Sequence, residues 1–256
     1  MESKNVNLIF AHSRWMILEL LRQPAYIVST LAFPALFYMI FAVPESKDVV
    51  SSNLLLASFS CFANFGVLFL QFGVGIAQER STSWYQYLRT LPLKPYQVIV
   101  ARFISAYLFS FLSIGVLIVL AEIYTSVSLN LNQWIYFFLA HMILGLIFCL
   151  MGLTLGYWSQ EKTALPLGNL IYLPLTFAGG LWKPPYVLPE SLKSLSEYLP
   201  TRQYGEVLWA IAADTNLTLI KPPKIETEYL LGLVFYALIF LILSYIGMRK
   251  DYKHKA

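Results

Sequence analysis

Between Val49 and Gln78 the chain runs for thirty residues without a formal charge. Spanning the hydrocarbon of a bilayer takes about 20 apolar residues in a helix, so this run is long enough to cross with residues to spare. It is not alone. Uncharged runs of spanning length also cover Ala25–Val43, Phe103–Ala121, Ile123–Gln160, Thr163–Trp182 and Tyr229–Met248. Charged residues make up 12% of the 256-residue chain, against roughly 25% for a soluble domain. Too few charges remain to coat a surface in water, so the solvent is lipid. The run Ile123–Gln160 is too long for one span, and Asn130, Asn132 and Gln133 mark a polar turn inside it. Trimming there leaves Trp134–Tyr157. The prediction is an all-α polytopic membrane protein with six transmembrane helices, forming a single domain over residues 1–256.

Arg14, Glu19 and Arg22 precede the first run, a pattern unlike a cleaved leader. Cys61 and Cys149 fall mid-span and are expected to pack as small apolar side chains. The net charge of +4 comes from Lys and Arg that flank the spans, which gives no reason to expect a nucleic-acid surface. Twelve Lys and Arg lie on the side that carries both termini, and six lie on the other. The excess predicts cytoplasmic termini in a plasma membrane, with residues 79–91 inside and residues 183–228 outside.

Residues 6–22 read as a helix in the membrane interface. Val6, Ile9, Phe10, Met16, Ile17, Leu20 and Leu21 share one face, and Asn7, His12, Arg14, Glu19 and Arg22 the other; Trp15 strays onto the polar side. The spans hold few polar groups. Asn64 and Gln71 lie in the second, His141 in the fourth and Asn169 in the fifth. No mid-membrane acid or base has a charged partner, which weighs against an ion-coupled carrier. Pro166, Pro174, Gly179 and Gly180 interrupt the fifth span, and such breaks survive in a membrane where protein or water satisfies the freed backbone. Beyond them, Pro189 starts a short amphipathic helix that Pro200 stops, and Thr201 can cap a second; the two are expected to fold back into the outer leaflet as a re-entrant hairpin. Asn216–Leu217–Thr218 matches the short glycosylation pattern. There is no phosphate-binding loop, nucleophile elbow or metal-spaced cluster, so any fuel is burned on another chain.

Glu79–Leu91 is polar and lies between two apolar runs. Trp84, Tyr87, Leu88 and Leu91 form one stripe of a short helix, and Glu79, Ser83, Gln86 and Thr90 the opposite one. Pro92 ends it. A short amphipathic helix with a firm stop suits docking into a groove on a second protein, with a connector lying among the lipid headgroups as the alternative.

The stretch "QERSTSWYQYLRTLPLKPYQVIVARFISA" resembles the segment of type-2 ABC transporter permeases that reads Arg-Glu-x-Gly-Thr-Leu-x-x-Leu-x-x-(Thr/Ser)-Pro-Leu, with a basic residue early in the next span. Glu79–Arg80, Leu88, Pro92–Leu93 and Arg102 match; Ser83 or a neighbour stands for the usual glycine. Gly179–Gly180, Pro184–Pro185, Leu188–Pro189, Leu199–Pro200 and Tyr204 echo the family pattern between the last two spans. The resemblance implies an exporter permease working as a dimer, with itself or a homologue, above two ABC ATPase subunits that bind ATP and Mg. No cofactor is expected on this chain, which is not itself an enzyme. Glu79, Arg80, Trp84, Tyr87, Leu88, Leu91 and Pro92 become the coupling helix, and Arg14, Trp15 and Arg22 the interface helix. Phe33, Asn64, Phe65, Gln71, Asn169 and Tyr172 become path candidates along the first, second and fifth spans. Gly179, Gly180, Pro184, Pro189, Pro200 and Tyr204 become the external gate. Abundant span aromatics point to a hydrophobic or amphipathic cargo, drug-like or lipid-like. A lipid-linked glycan or polysaccharide, or a membrane sensor or assembly factor that transports nothing, remain the alternatives.

Overall fold

The computed structural model describes residues 2–90, 95–183, 189–213 and 227–254. Leu91, Pro92, Pro184, Pro185, Leu188 and the Asn216–Thr218 pattern lie outside the described residues. Those residues form an all-helical bundle with no strand among them. In chain order the helices are α1 (Glu2–Leu21), α2 (Pro24–Glu45), α3 (Val49–Glu79), α4 (Ser83–Thr90), α5 (Pro95–Tyr124), α6 (Leu131–Trp158), α7 (Glu161–Ala178), α8 (Glu190–Ser196), α9 (Pro200–Ala212) and α10 (Thr227–His254). Five of them, α2, α3, α5, α6 and α10, are long and apolar enough to cross a membrane.

Caps set the starts. Asp48 accepts the Ser51 N–H at 2.7 Å, and Ser51 Oγ accepts the Asp48 N–H at 3.0 Å, closing a reciprocal box at the head of α3. Asn130 and Gln133 do the same for α6, at 2.9 Å each way. The polar turn legible in the sequence is therefore a helix cap.

The bundle is built around α3, which packs against α2, α5, α6, α7 and α9. Its contact with α6 depends on small residues. A Cβ at Gly152 would lie 2.7 Å from the Leu68 carbonyl oxygen, so the two backbones approach as only glycine permits. Gly156, one turn on, extends the same close approach. At the rim, α10 leaves most of its span uncovered by the chain, with Leu231, Val234, Phe235 and Leu238 outward. Cys61 and Cys149 are buried free thiols.

Proline has visible consequences in α2. Pro34 cannot donate to the Thr30 carbonyl one turn earlier. The backbone there takes a π-helical turn, Val28–Ala32, and Ser113 Oγ from α5 donates to the Thr30 oxygen at 2.9 Å.

The fifth crossing differs from expectation. The sequence predicts a span over Thr163–Trp182, but α7 is not among the five spanning helices. Gly168 packs on Leu70, and Tyr172 packs on Gly66 and donates its hydroxyl to the Phe62 carbonyl at 3.0 Å. Carried forward in that antiparallel register, the end of α7 lies level with Ser60, about 16 Å of helix rise short of the start of α3. Gly180, at φ 78°, then turns the chain in the left-handed region that favours glycine.

The hairpin α8–α9 completes the wall. Trp209 Nε1 donates to Ser58 Oγ at 2.6 Å, Asn53 Nδ2 donates to the Ala212 carbonyl at 3.4 Å, and Tyr204 meets Asn64. These pairs show α9 starting deep in the bundle and rising antiparallel to α3. The expected fold-back is thus a helix packed into the core, with its far end tied to the head of α3.

The N-terminal helix also packs differently. Its inner face is Ile9, His12, Ser13, Met16, Ile17 and Leu20, whereas Phe10 and Leu21, assigned to the apolar stripe by sequence, point outward. Small Ser13 lets α1 lie close on α5, where Ser105 Oγ donates to the Ser13 carbonyl at 3.5 Å. Burial and the nearby Arg102 guanidinium lower the His12 pKa, with Glu79 acting in the opposite sense. His12 is therefore neutral at pH 7 and leaves Glu79 to Arg102.

Candidate coupling elbow and membrane pocket

Two places in the bundle concentrate polar chemistry beyond simple packing. The first is the elbow between α3 and α5. The sequence expectation of one helix over Glu79–Leu91 is corrected: Glu79 ends α3, residues 80–82 turn, and α4 begins at Ser83. Thr82 Oγ1 accepts the Tyr85 N–H at 3.3 Å and so starts the new helix.

The charged pair Glu79–Arg80 faces inward. Glu79 Oε2 lies 2.6 Å from Arg102 Nη2, which ties the end of α3 to α5. Arg80 Nη2 lies 2.6 Å from Asp251 Oδ1 near the end of α10, and its Nε donates to the same oxygen at 3.1 Å. Its Nη1 donates to the Gly156 carbonyl at 2.7 Å and to the Ser159 carbonyl at 3.3 Å, oxygens that the end of α6 leaves without helical donors. Tyr85 Oη donates to Asp251 Oδ2 at 2.9 Å. One guanidinium and one carboxylate thus join α4, α6 and α10.

The predicted docking stripe on α4 divides in two. Leu88 is 7% exposed and Tyr85 4%, so both face the bundle. Trp84 at 52% and Tyr87 at 53% face away, their ring centroids 5.5 Å apart. A helix with an anchored inner face presents an aromatic pair outward. Arg14 and Trp15 of α1, and Arg22 just after it, are also exposed.

The second place is a pocket of about 380 Å³ between α2, α3 and α7. Four of the six path candidates, Phe33, Gln71, Asn169 and Tyr172, line it together. Ser29 and Thr30 contribute from the π-helical turn of α2, and Gly66 and Gln71 from a π-helical turn of α3, Gly66–Gln71. Such turns recur at functional sites.

The remaining two candidates lie elsewhere. Asn64 and Phe65 are buried in the chain's own core. Asn64 Oδ1 accepts from Ser110 Oγ at 2.7 Å, and Asn64 Nδ2 donates to Tyr204 Oη. The Tyr204 hydroxyl pairs with His141 Nδ1, and His141 Nε2 lies 3.0 Å from Ser60 Oγ. Ser60 Oγ donates onward to the Ala57 carbonyl at 2.7 Å, so the network fits an Nε2–H histidine. This arrangement holds α9 in place. Tyr204, assigned by sequence to an external gate, is a pin inside the bundle. Among the other gate candidates, Gly179 and Gly180 end α7, Pro189 precedes α8 and Pro200 opens α9. Tyr204→Phe keeps the ring and removes the hydroxyl, leaving Asn64 and His141 each short of a partner. An expected loss of about 1–3 kcal/mol is checked by a lower unfolding midpoint of the detergent-purified protein.

Sequence reasoning missed Asp251 and Tyr85. Asp251 sits in a run of basic residues near the end of the chain, and nothing local marks it as buried.

An ABC-2 type transporter family model matches residues 7–212. The chain belongs to the ABC-2 type transporter family, as a multi-pass membrane permease. It is also 26% identical over 239 residues, covering 91% of this chain and 94% of the other, to a Bacillus subtilis (strain 168) protein named "Putative transport permease YvfS". Membership implies pairing with an ABC ATPase.

Proposed function

We propose that this chain is the membrane subunit of an ATP-driven exporter of a hydrophobic or amphipathic compound. Two copies, or one copy and a homologue, stand above two ATPase subunits that bind ATP and Mg. Both termini and α4 face the cytoplasm, as the Lys and Arg excess on that side supports. The observation that carries the reading is the elbow: exposed Trp84 and Tyr87 on a short helix whose inner face is fastened by Arg80 and Asp251. A groove that holds those rings can push α4 without melting it. ATP-driven closure of the ATPase pair moves the permease only through different affinities of the two states for the elbow. The pocket between α2, α3 and α7 lies on the cargo route.

The test is purification of the tagged chain from its native membrane, with measurement of ATP hydrolysis by the complex. A nucleotide-hydrolysing subunit that protects a Trp84→Cys thiol from labelling supports the reading. A complex with no such subunit, or a thiol at position 84 labelled from the cell exterior, sinks it.

A further inference from the structure

We propose that the pocket between α2, α3 and α7 selects an uncharged amphiphile whose head carries hydroxyl or amide groups, and that Gln71 and Asn169 read that head. The proposal rests on the pocket lying on the cargo route and adds the class of cargo.

Carboxamides elsewhere in the bundle show what this chain does with a polar side chain that is not reserved. Asn53 donates to the Ser128 carbonyl at 3.0 Å and accepts the Ser128 N–H at 2.9 Å. Asn64 is held by Ser110, His141 and Tyr204. Gln133 caps its helix and donates to the Ile211 carbonyl at 3.0 Å. Gln71 and Asn169 differ. Both line the same pocket, and neither side chain makes a hydrogen bond with any described residue. An amide left without partners at membrane depth is costly, so two facing one cavity mark a place where a ligand completes them.

The chemistry of the walls narrows the ligand. Among the described residues no Asp, Glu, Lys, Arg or His lines the pocket, and its other walls are mainly apolar. A charged head would enter without a counter-charge, which low-dielectric surroundings penalise heavily. A carboxamide offers both a donor and an acceptor, the match for a neutral hydroxyl, amide or ester. Phe33, Leu165 and Leu173 accept the apolar part. At about 380 Å³ the space suits a small head and part of a chain.

The test uses the full chain in lipid nanodiscs and three radiolabelled amphiphiles with the same dodecyl-length tail: 1-dodecanoylglycerol, dodecyl sulfate and dodecyltrimethylammonium. The expected result is saturable binding of the monoacylglycerol above that of empty discs, with both charged probes at least about tenfold weaker. Gln71→Leu with Asn169→Leu lowers monoacylglycerol affinity about tenfold, roughly the loss of one to two net hydrogen bonds, and narrows the gap between probes. Leu165→Trp fills the pocket and removes saturable binding, which localises the site should the double variant fold poorly. Equal affinity for all three heads, no saturable binding, or full discrimination retained by a folded double variant each overturns the proposal. The discs contain no ATPase, so these outcomes are separate from failure of the exporter reading, which a native complex without nucleotide hydrolysis would show.

Discussion

Asp251→Ala is expected to free the elbow from the bundle. The variant strands the Arg80 guanidinium in a setting where the Asp251 side chain is 2% exposed and that of Arg80 16%. Breaking one side of a buried ion pair costs about 3–5 kcal/mol, because the remaining charge keeps its desolvation penalty. The loss falls on the junction of α4, α6 and α10 rather than on the bundle centre. Hydrogen exchange should therefore speed up in residues 83–90 and at the end of α6, while protection around Asn64 and His141 stays unchanged. Arg80→Ala with Asp251→Ala is expected to be less damaging than Asp251→Ala alone, since it leaves no orphan charge, and a double-mutant cycle measures the coupling. In a complex with its ATPase, Asp251→Ala should keep ATP hydrolysis and lose transport per ATP hydrolysed. Unchanged exchange in residues 83–90 would show that the contact carries no strain between these helices.

Trp84→Ala with Tyr87→Ala is expected to do the reverse. Both rings are exposed, so stability should change by no more than about 0.5 kcal/mol per site in the isolated permease. Binding of the ATPase should fall steeply. Buried aromatic anchors at interfaces are worth about 2 kcal/mol or more each, near thirtyfold in affinity per ring. Leu88→Ala, on the inner face, should cost about 2–5 kcal/mol of bundle stability, as core truncations do. The pair Trp84 and Leu88, which sequence places on one stripe, thus separates into an exposed residue and a packing residue. Pull-down affinity and unfolding midpoint, measured on both variants, check the division. Equal loss of stability from both classes would place Trp84 and Tyr87 inside the bundle after all.

Much of the architecture is legible in the amino-acid sequence. Charge-free runs located the five long helices, with both ends within three residues for α2, α3 and α6 and the start of α5 eight residues earlier than its run, because a missing charge is a local property that lipid reads directly. The polar turn at Asn130–Gln133 was visible for the same reason. The fifth span, expected over Thr163–Trp182, is helical over Glu161–Ala178 and ends four residues sooner than its run. Gly180 turns the chain after α7, Thr201 Oγ1 donates to the Leu175 carbonyl at 2.7 Å, and the hairpin α8–α9 that follows continues the wall. Of the path candidates, Phe33, Gln71, Asn169 and Tyr172 converge on one pocket, whereas Asn64 and Phe65 face inward. Period alone told which residues share a face of a helix, not which face meets a neighbour.

The amino-acid string settled the solvent, the positions of the membrane helices and the presence of a short amphipathic segment between the second and third of them. Each follows from residues near one another in the chain. Folding in three dimensions settled which polar groups are spent on holding helices together and which line the pocket between α2, α3 and α7. Arg80 meets Asp251 across 171 positions, and Asn64 meets Tyr204 across 140. A hydrogen bond depends on a few tenths of an ångström between partners that only the packing of several helices brings together.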